Sequence, residues 1–309
     1  MGLFAYIGLF IISLAVLLIA SDKFIESAEK IGLSLGISSF VIGVTIVAFG
    51  TSLPELATSI AAIYSDSSEI VVGNVIGSNI TNILLVLGVT AIVAKEINLN
   101  FDVMQTDMSF LMGSAFLLYF ALQDGNFSIF EAALFLIVLS VFLFNSFTSE
   151  RTDKSERPSV LPSTYLMLLV GAIFVFFGAK YTIFAMEGIS DILGISPDII
   201  ALTGVALGTS LPELIVSINA SKKGKHAIAV GNVLGSNLFN TLGIMGVPRL
   251  FGDLKISYVI QEFTSPFMVG VTVLFFLVCL SKRLHRSEGY LLVLFYVYFI
   301  AELFLNKSI

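Results

Sequence analysis

Two glutamates, Glu55 and Glu213, stand within long apolar stretches, and each belongs to a copy of the same short polar motif. The motif reads GTSLPEL at 50–56 and again at 208–214. A carboxylate near the centre of a bilayer costs about 2.5–3.5 kcal/mol on insertion scales, so such a residue is rarely kept for stability. Two carboxylates in duplicated surroundings therefore predict a site for cations.

A second motif follows each glutamate and supplies further oxygen atoms. It reads GNVIGSNITN at 73–82 and GNVLGSNLFN at 231–240, and the two copies are again 158 residues apart. Without any gap, 25 of the 47 positions in 43–89 are identical to their partners in 201–247. The chain therefore contains an internal duplication, and each copy carries one half of the predicted site.

Helical spacing decides which polar groups of the first motif can meet the same ion. Thr51 and Ser52 precede Glu55 by four and three residues and project to its face, with Ala48 a turn further back. Pro54 cannot donate a backbone hydrogen bond, which frees carbonyl oxygens in the preceding turn to line a cavity or bind an ion. The second copy has the same spacing in Ala206, Thr209, Ser210, Pro212 and Glu213.

The second motif adds a hydroxyl and an amide oxygen on one helix face in each copy, from the pairs Ser78 with Asn82 and Ser236 with Asn240. All these predicted ligands are oxygens, which select hard cations such as Ca²⁺. Two carboxylates neutralise one Ca²⁺ or two Na⁺. A pocket that holds one Ca²⁺ therefore excludes Na⁺, and a pocket that holds two Na⁺ excludes Ca²⁺. The remaining asparagines of the motif are interpreted as packing or capping groups: Asn74, Asn79, Asn232 and Asn237.

The elements that must position these residues are membrane helices. The chain is 57% hydrophobic and 12% charged, whereas soluble domains are about 25% charged. Ten runs with few or no charges suit spans of about 17–25 residues. They lie at 3–20, 31–65, 70–94, 108–123, 132–149, 159–179, 199–221, 227–248, 263–281 and 289–306. We therefore predict an all-α, multi-pass membrane protein with ten transmembrane helices.

The longest polar segment falls between the fifth and sixth runs and divides the chain into 1–145, a cytoplasmic linker at 146–162, and 163–309. Five helices per copy is an odd number, so the second copy must enter the membrane with opposite polarity. Such inverted repeats are typical of secondary transporters, whose site lies at the midplane between the repeats. With both termini outside, 12 of the 16 Lys and Arg residues fall in inner loops, which favours an N-out, C-out orientation.

Several classes of function are disfavoured. The single cysteine, Cys279, excludes a disulfide framework and a Cys-based zinc site. The net charge of −6 is spread thinly over the loops and gives no footprint for nucleic acid. The sequence has no nucleophile–base pair, metal-hydrolase helix or phosphate loop, so we predict neither an enzyme nor a bound cofactor. A cation channel is a more distant alternative, because a channel usually surrounds its pore with several subunits.

The doubled motifs resemble the paired repeats of the cation/Ca²⁺ exchanger superfamily, and in particular its prokaryotic Na⁺/Ca²⁺ exchanger branch. The resemblance covers 43–89 and 201–247 in detail and the ten-helix inverted layout in outline. It implies a monomeric antiporter of the cell membrane that exports Ca²⁺ in exchange for Na⁺ by alternating access. The first and sixth helices would slide across an ion site formed by the second, third, seventh and eighth. The ligands that it implies are Glu55, Glu213, Thr51, Ser52, Ser78, Thr209, Ser210 and Ser236, with carbonyls near Ala48 and Ala206.

The chain departs from some relatives at the two asparagines. Several relatives carry Asp at one of the positions matching Asn82 and Asn240, and in the K⁺-dependent branch an Asp matching Asn240 accompanies K⁺ co-transport. This chain has Asn at both positions, so we expect no dependence on K⁺. Ca²⁺/H⁺ exchangers of the superfamily show a G-N-x-x-E pattern where this chain reads GTSLPE, which favours Na⁺ as the counter-ion. The alternative is a Ca²⁺/H⁺ antiporter that uses the same two glutamates.

Overall fold

The computed structural model describes residues 2–64, 68–99, 104–149, 159–192 and 208–305, and these ranges are almost entirely helical. The helices are α1 Leu3–Ser34, α2 Ser39–Thr51, α3 Leu53–Tyr64, α4 Glu69–Ala94, α5 Met104–Ala121, α6 Ile129–Ser149, α7 Pro162–Ile192, α8 Leu211–Lys222, α9 His226–Arg249, α10 Ile260–Leu280 and α11 Arg286–Leu305. Two short strands, β1 Glu96–Asn98 and β2 Arg283–His285, pair antiparallel.

Six of the described helices are long and apolar enough to cross a membrane. A seventh span results if α2 and α3, which are bent by 40° relative to each other, form one broken span. Each of the ten runs predicted from the sequence overlaps a helix in the described ranges, although 199–207 of the seventh run lies outside them. Length and composition thus agree with a membrane fold, while the count of ten spans stays a prediction.

The chain breaks its helices where the sequence carries the first motif. Ser52, between α2 and α3, has φ −88° and ψ 5°, and Ser210, before α8, has φ −87° and ψ 5°. In both copies a proline follows two residues later, and a proline nitrogen cannot continue the helical hydrogen bonds of the preceding turn. The break therefore recurs at matching positions and starts a new helix just before each glutamate.

Turns of π-helix widen the helices next to the second motif. They cover Gly43–Val47 in α2, Asn82–Leu87 in α4, Phe239–Ile244 in α9 and Ile260–Thr264 in α10. Asn82 begins one of them and Asn240 is the second residue of another. Such π-turns interrupt the regular hydrogen bonding of an α-helix and are frequently found at functional sites.

The helices that carry the second motif form the centre of the protein. In the most apolar windows of α4 and α9, 78% and 94% of the residues are buried. The π-turn of α2 packs against α9 so closely that a Cβ on Gly235 would lie 2.1 Å from the carbonyl oxygen of Val44. Only glycine permits this approach, as small residues do in membrane packing generally.

Contacts between the two copies are reciprocal. In the β1–β2 pair, Ile97 stands opposite Leu284. The residues 158 positions away from these two are Lys255 and Asn126, and they form an isolated antiparallel bridge of their own. A contact made by the first copy to the second is thus repeated by the second copy to the first, as a two-fold relationship requires.

Candidate ion-binding site

Both glutamates lie fully buried in the first turn of a helix. Glu55 opens α3 and Glu213 opens α8, and each has a relative exposure of 0%. A negative charge in a first turn is favoured by the helix dipole. The two carboxylates lie within electrostatic range of each other. The helix breaks therefore bring together two glutamates that are 158 residues apart in the sequence.

One carboxylate is supported by hydroxyl groups from both copies. The Ser52 hydroxyl donates to Oε1 of Glu213 at 3.0 Å, and the Ser236 hydroxyl donates to the same oxygen at 3.5 Å. Ser52 precedes the glutamate of its own copy but bonds the glutamate of the other. The site is therefore formed at the crossing of the two copies and is incomplete in either one alone.

Two threonines bind asparagines of the opposite copy. The Thr51 hydroxyl donates to Oδ1 of Asn232 at 3.1 Å, and the Thr209 hydroxyl donates to Oδ1 of Asn74 at 3.2 Å. These two bonds are exact counterparts under the repeat. They fix both threonine side chains against the opposite copy.

The same two asparagines donate to serines further along the neighbouring helices. Nδ2 of Asn232 lies 3.0 Å from Oγ of Ser217, and Nδ2 of Asn74 lies 3.5 Å from Oγ of Ser59. Sequence analysis interpreted both asparagines as packing or capping groups. Their contacts show that they position the threonines of the site, a role that only the crossing of the copies reveals.

The serines of the second motif complete a belt of hydroxyl groups. Oγ of Ser236 lies 3.4 Å from the Thr51 hydroxyl, and Oγ of Ser78 lies 3.3 Å from the Thr209 hydroxyl. Both serines are fully buried. The structure thus brings together the hydroxyl groups that the helical spacing predicted as neighbours of the glutamates.

Six oxygen atoms of the predicted ligands have no hydrogen-bond partner among the residues that the structure describes. They are both carboxylate oxygens of Glu55, Oε2 of Glu213, Oγ of Ser210, and Oδ1 of Asn82 and of Asn240. A buried polar group without a partner is unfavourable, and more so a charged one. Ca²⁺ takes about 6–8 oxygen ligands, so the unpaired oxygens of these residues are of the kind that such a cation needs.

The two remaining predicted positions concern backbone carbonyls. The carbonyl of Ala48 accepts from the Thr51 hydroxyl at 3.2 Å and from the Ser52 amide at 3.0 Å. Ala206 lies outside the described residues. Within those residues no group of three or more His, Cys, Asp or Glu side chains could hold a metal, so the site depends on two carboxylates and neutral oxygens.

The copies differ at one buried amide that sequence analysis did not distinguish. Nδ2 of Asn79 donates to the Thr241 hydroxyl at 2.7 Å. The residue matching Thr241 in the first copy is Ile83, which has no hydroxyl. Accordingly the amide of Asn237, the counterpart of Asn79, has no hydrogen-bond partner in the described part of the chain.

A cavity of about 310 Å³ reaches the site from one side. Its walls include Pro54 and Thr58 of α3, Lys180 of α7, and Gly208 and Thr209 at the site itself. The opposite side is covered, because the ring of the buried Phe24 lies against the helix break. A Cβ on Gly50 would lie 2.4 Å from Cζ of that ring.

The comparison with known proteins decides the family. A family model described as "Sodium/calcium exchanger protein" matches residues 5–148 and 163–305. The chain belongs to the sodium/calcium exchanger protein family. This membership confirms the resemblance seen in the doubled motifs, and it places the chain in a family of transporters rather than of enzymes.

Individual relatives extend over nearly the whole chain. The sodium/calcium exchanger MaX1 of Methanosarcina acetivorans is 32% identical, over 95% of this chain and 97% of its own length. The inner membrane protein YrbG of Escherichia coli is 30% identical, over 96% of each chain. A solved structure of the sodium-calcium exchanger NCX_Mj superposes with a TM-score of 0.85 at 33% identity, over 97% of this chain and 99% of the other. Family, fold and apolar helices together confirm an all-helical, multi-pass membrane protein.

Proposed function

We propose that this protein is an antiporter that exports Ca²⁺ in exchange for Na⁺ through a single site at the crossing of its two copies. The observation that carries the proposal is the set of six unpaired oxygens, three of which belong to the two buried carboxylates themselves. Two negative charges balance one Ca²⁺ or two Na⁺, so either load neutralises the buried charge and each displaces the other. The relative MaX1 is named a sodium/calcium exchanger, which supports the choice of ions.

We assign Glu55 and Glu213 as the central ligands. Hydroxyl groups, amide oxygens and carbonyls complete the coordination shell of a Ca²⁺ ion or the smaller coordination shells of Na⁺ ions. They come from Thr51, Ser52, Ser78, Asn82, Thr209, Ser210, Ser236 and Asn240, with the carbonyls of Ala48 and Ala206. Support comes from the burial of the described side chains other than Thr209, which is half-buried, and from the orientation of both threonines by asparagines of the opposite copy.

The architecture that we propose is a monomer of ten spans in two inverted five-helix repeats, 1–145 and 163–309, with both termini outside. The reciprocal contacts support a two-fold relationship, since Ile97 and Leu284 both fall in predicted inner loops. Asn126 and Lys255 both fall in predicted outer loops. The family matches in two segments separated by 149–162, which supports a cytoplasmic linker at 146–162.

Alternating access would then come from movement of α1 and α7 across the site. These helices run antiparallel and in close contact, since a Cβ on Gly178 would lie 2.9 Å from Cβ of Leu17, and one on Gly171 would lie 3.1 Å from Cβ of Phe24. The cavity beside Lys180 leads toward the predicted outer side, and Phe24 covers the predicted inner side. With the proposed orientation, this arrangement would correspond to the outward-facing half of the cycle.

The test is uptake of radiolabelled Ca²⁺ into proteoliposomes loaded with Na⁺, K⁺ or acidic buffer, with the Glu55→Gln variant beside each. We expect uptake only from Na⁺-loaded vesicles and its loss in the variant. Uptake that occurs without any cation inside the vesicles would contradict antiport and favour a channel. Full exchange in both Glu55→Gln and Glu213→Gln would refute the assignment of the ligands.

A second candidate is a Ca²⁺/H⁺ antiporter that uses the same glutamates. It is favoured by one observation, which is that both oxygens of Glu55 are buried without a partner. A buried carboxylate in this state can be neutralised by a proton as well as by a metal ion. The acid-loaded vesicles distinguish the two, because uptake driven by the proton gradient alone would assign the protein to that class.

A further inference from the structure

A groove between α1 and α7 has an apolar part and a polar part that are continuous with each other. The apolar part, of about 270 Å³, is lined by Ile19 and Ala20 of α1 and by Val170 and Phe174 of α7. It lies on the outer surface of the helix pair, where lipid tails surround the protein. Its apolar lining suits a hydrocarbon chain.

The polar part of the groove, of about 220 Å³, lies toward the predicted cytoplasmic end of the same helices. It is lined by Lys23 and Lys30 of α1 and by Ser163 and Thr164 at the start of α7. Lys23 lines both parts, so the lysines and hydroxyls of the polar part adjoin the predicted cytoplasmic end of the apolar part. This order of groups matches a phospholipid, with a charged head above a hydrocarbon tail.

The charges of the polar part do not cancel. Lys30 and Lys23 share a single carboxylate, that of Glu26, at 2.8 Å and 3.4 Å. The other acidic side chains of this stretch of α1 are engaged by lysines of the loop after α8. These pairs are Asp22 with Lys223 at 3.1 Å and Glu29 with Lys225 at 2.5 Å. Among the residues that the structure describes, one positive charge therefore remains at the head of the groove.

We propose that this groove binds one anionic phospholipid. Its phosphate would contact Lys23 and Lys30, with hydroxyls of Ser163 and Thr164 beside it, and one acyl chain would lie along Val170 and Phe174. Basic pockets between transmembrane helices on the cytoplasmic side bind anionic head groups. Because the lipid would touch both α1 and α7, it would link the two helices at their inner ends. The proposal does not depend on which ions the protein carries.

The absence of tryptophan from the chain provides the test. The Phe174→Trp variant places a single fluorophore on the wall of the apolar part, and Phe177→Trp places one on the same helix at similar exposure (50% and 44% in the parent) but off the groove. Each variant of the full chain is reconstituted in phosphatidylcholine vesicles with increasing fractions of brominated phosphatidylglycerol or brominated phosphatidylcholine. Fluorescence quenching then gives the relative affinity of the two lipids at each position.

We expect a preference for phosphatidylglycerol of at least about fivefold at Phe174→Trp and none at Phe177→Trp. Each of Lys23→Gln and Lys30→Gln, added to Phe174→Trp, lowers the preference about fivefold, the effect of one lysine at a membrane surface. Glu26→Gln raises the preference, because it frees both lysines. This opposite sign separates loss of a binding charge from loss of structure. Lys222→Gln removes a charge from the same predicted face and leaves the preference unchanged.

Three results would overturn the proposal. The first is equal quenching by the two lipids at Phe174→Trp, which indicates ordinary annular lipid. The second is a preference that survives the combined loss of Lys23 and Lys30. The third is displacement of brominated phosphatidylglycerol by soluble glycerol phosphate with an affinity equal to that of the lipid. Such a result would mean that the polar part binds a free phosphate and that the apolar part contributes nothing.

Discussion

The hydroxyl of Ser52 donates a hydrogen bond to the carboxylate of Glu213 across the boundary between the two copies, at 3.0 Å. The counterpart of this bond, from Ser210 to Glu55, is missing. Oγ of Ser210 and both carboxylate oxygens of Glu55 have no hydrogen-bond partner in the part of the chain that the structure describes. Within the described residues, two motifs identical in sequence therefore hold one carboxylate with a hydroxyl partner and one without.

This asymmetry predicts unequal effects of two identical substitutions. A hydrogen bond to a charged group contributes about 1.5–3 kcal/mol, so Ser52→Ala should lower the free energy of unfolding by about that amount. Ser210→Ala removes a hydroxyl without a partner and should cost less than about 1 kcal/mol. The measurement is unfolding by denaturant in detergent, in buffer free of Na⁺ and Ca²⁺. Equal losses in the two variants would show that the asymmetry is not a property of the protein in solution.

Neutralising Glu55 should stabilise the ion-free protein while it abolishes stabilisation by Ca²⁺. A buried carboxylate without a partner opposes folding, and Glu55→Gln removes its charge at nearly constant shape. We expect a higher midpoint of thermal unfolding without ions and no further rise when Ca²⁺ is added. A glutamate kept for structure would give a lower midpoint instead.

The control for this prediction is Glu131→Gln. Glu131 accepts from the backbone amide of Ser128 at 2.6 Å in a capping box at the start of α6. The same substitution there leaves the ion ligands intact, so the rise in the unfolding midpoint with Ca²⁺ should be that of the parent protein.

The duplicated motifs and the polar residues near the glutamates could be predicted from the sequence because both depend on local spacing, while the role of these residues as ligands stays a prediction. Helical periodicity predicted that Thr51 and Ser52 share a face with Glu55, but the helix breaks at Ser52. It could not show that Ser52 bonds the glutamate of the other copy, since that depends on how the copies cross. The positioning roles of Asn74 and Asn232 were missed for the same reason.

The ends of the helices and the positions of the π-turns also could not be predicted from the sequence. The apolar run at 3–20 ends where charges begin, yet α1 continues to Ser34. It can do so because its acidic side chains find partners outside the apolar layer, as Glu29 does with Lys225. The π-turn that begins at Asn82 has no residue pattern that distinguishes it from an ordinary α-helical turn.

Asn79 and Asn237 occupy matching positions, and we expect their replacement to have opposite effects on stability. Asn79→Leu loses the bond to Thr241 and leaves a buried hydroxyl without that partner, which should cost about 1–3 kcal/mol. Asn237→Leu removes an amide that has no partner among the described residues and should leave the free energy of unfolding unchanged or higher. Unfolding by denaturant in ion-free buffer measures both. A similar loss in the two variants would contradict the role given to Ile83.

Lys180 places a positive charge on the wall of the cavity that reaches Thr209, and this charge should oppose the entry of cations. Charges lining a cleft change the local concentration of ionic substrates. Lys180→Gln should therefore lower the KM for Ca²⁺ on the cavity side by about two- to fivefold at low ionic strength. The measurement is initial Ca²⁺ uptake into vesicles in which that side faces outward.

The dependence on ionic strength separates this effect from a change in the site itself. Salt screens charges beyond about 8 Å at physiological ionic strength, so the difference between Lys180→Gln and the parent should shrink as choline chloride is added. Lys255→Gln is the matched control, because it removes a charge from the same predicted face but from outside the cavity lining. If Lys255→Gln lowers the KM as much as Lys180→Gln, the effect belongs to the whole surface, and the cavity is not the route by which cations enter.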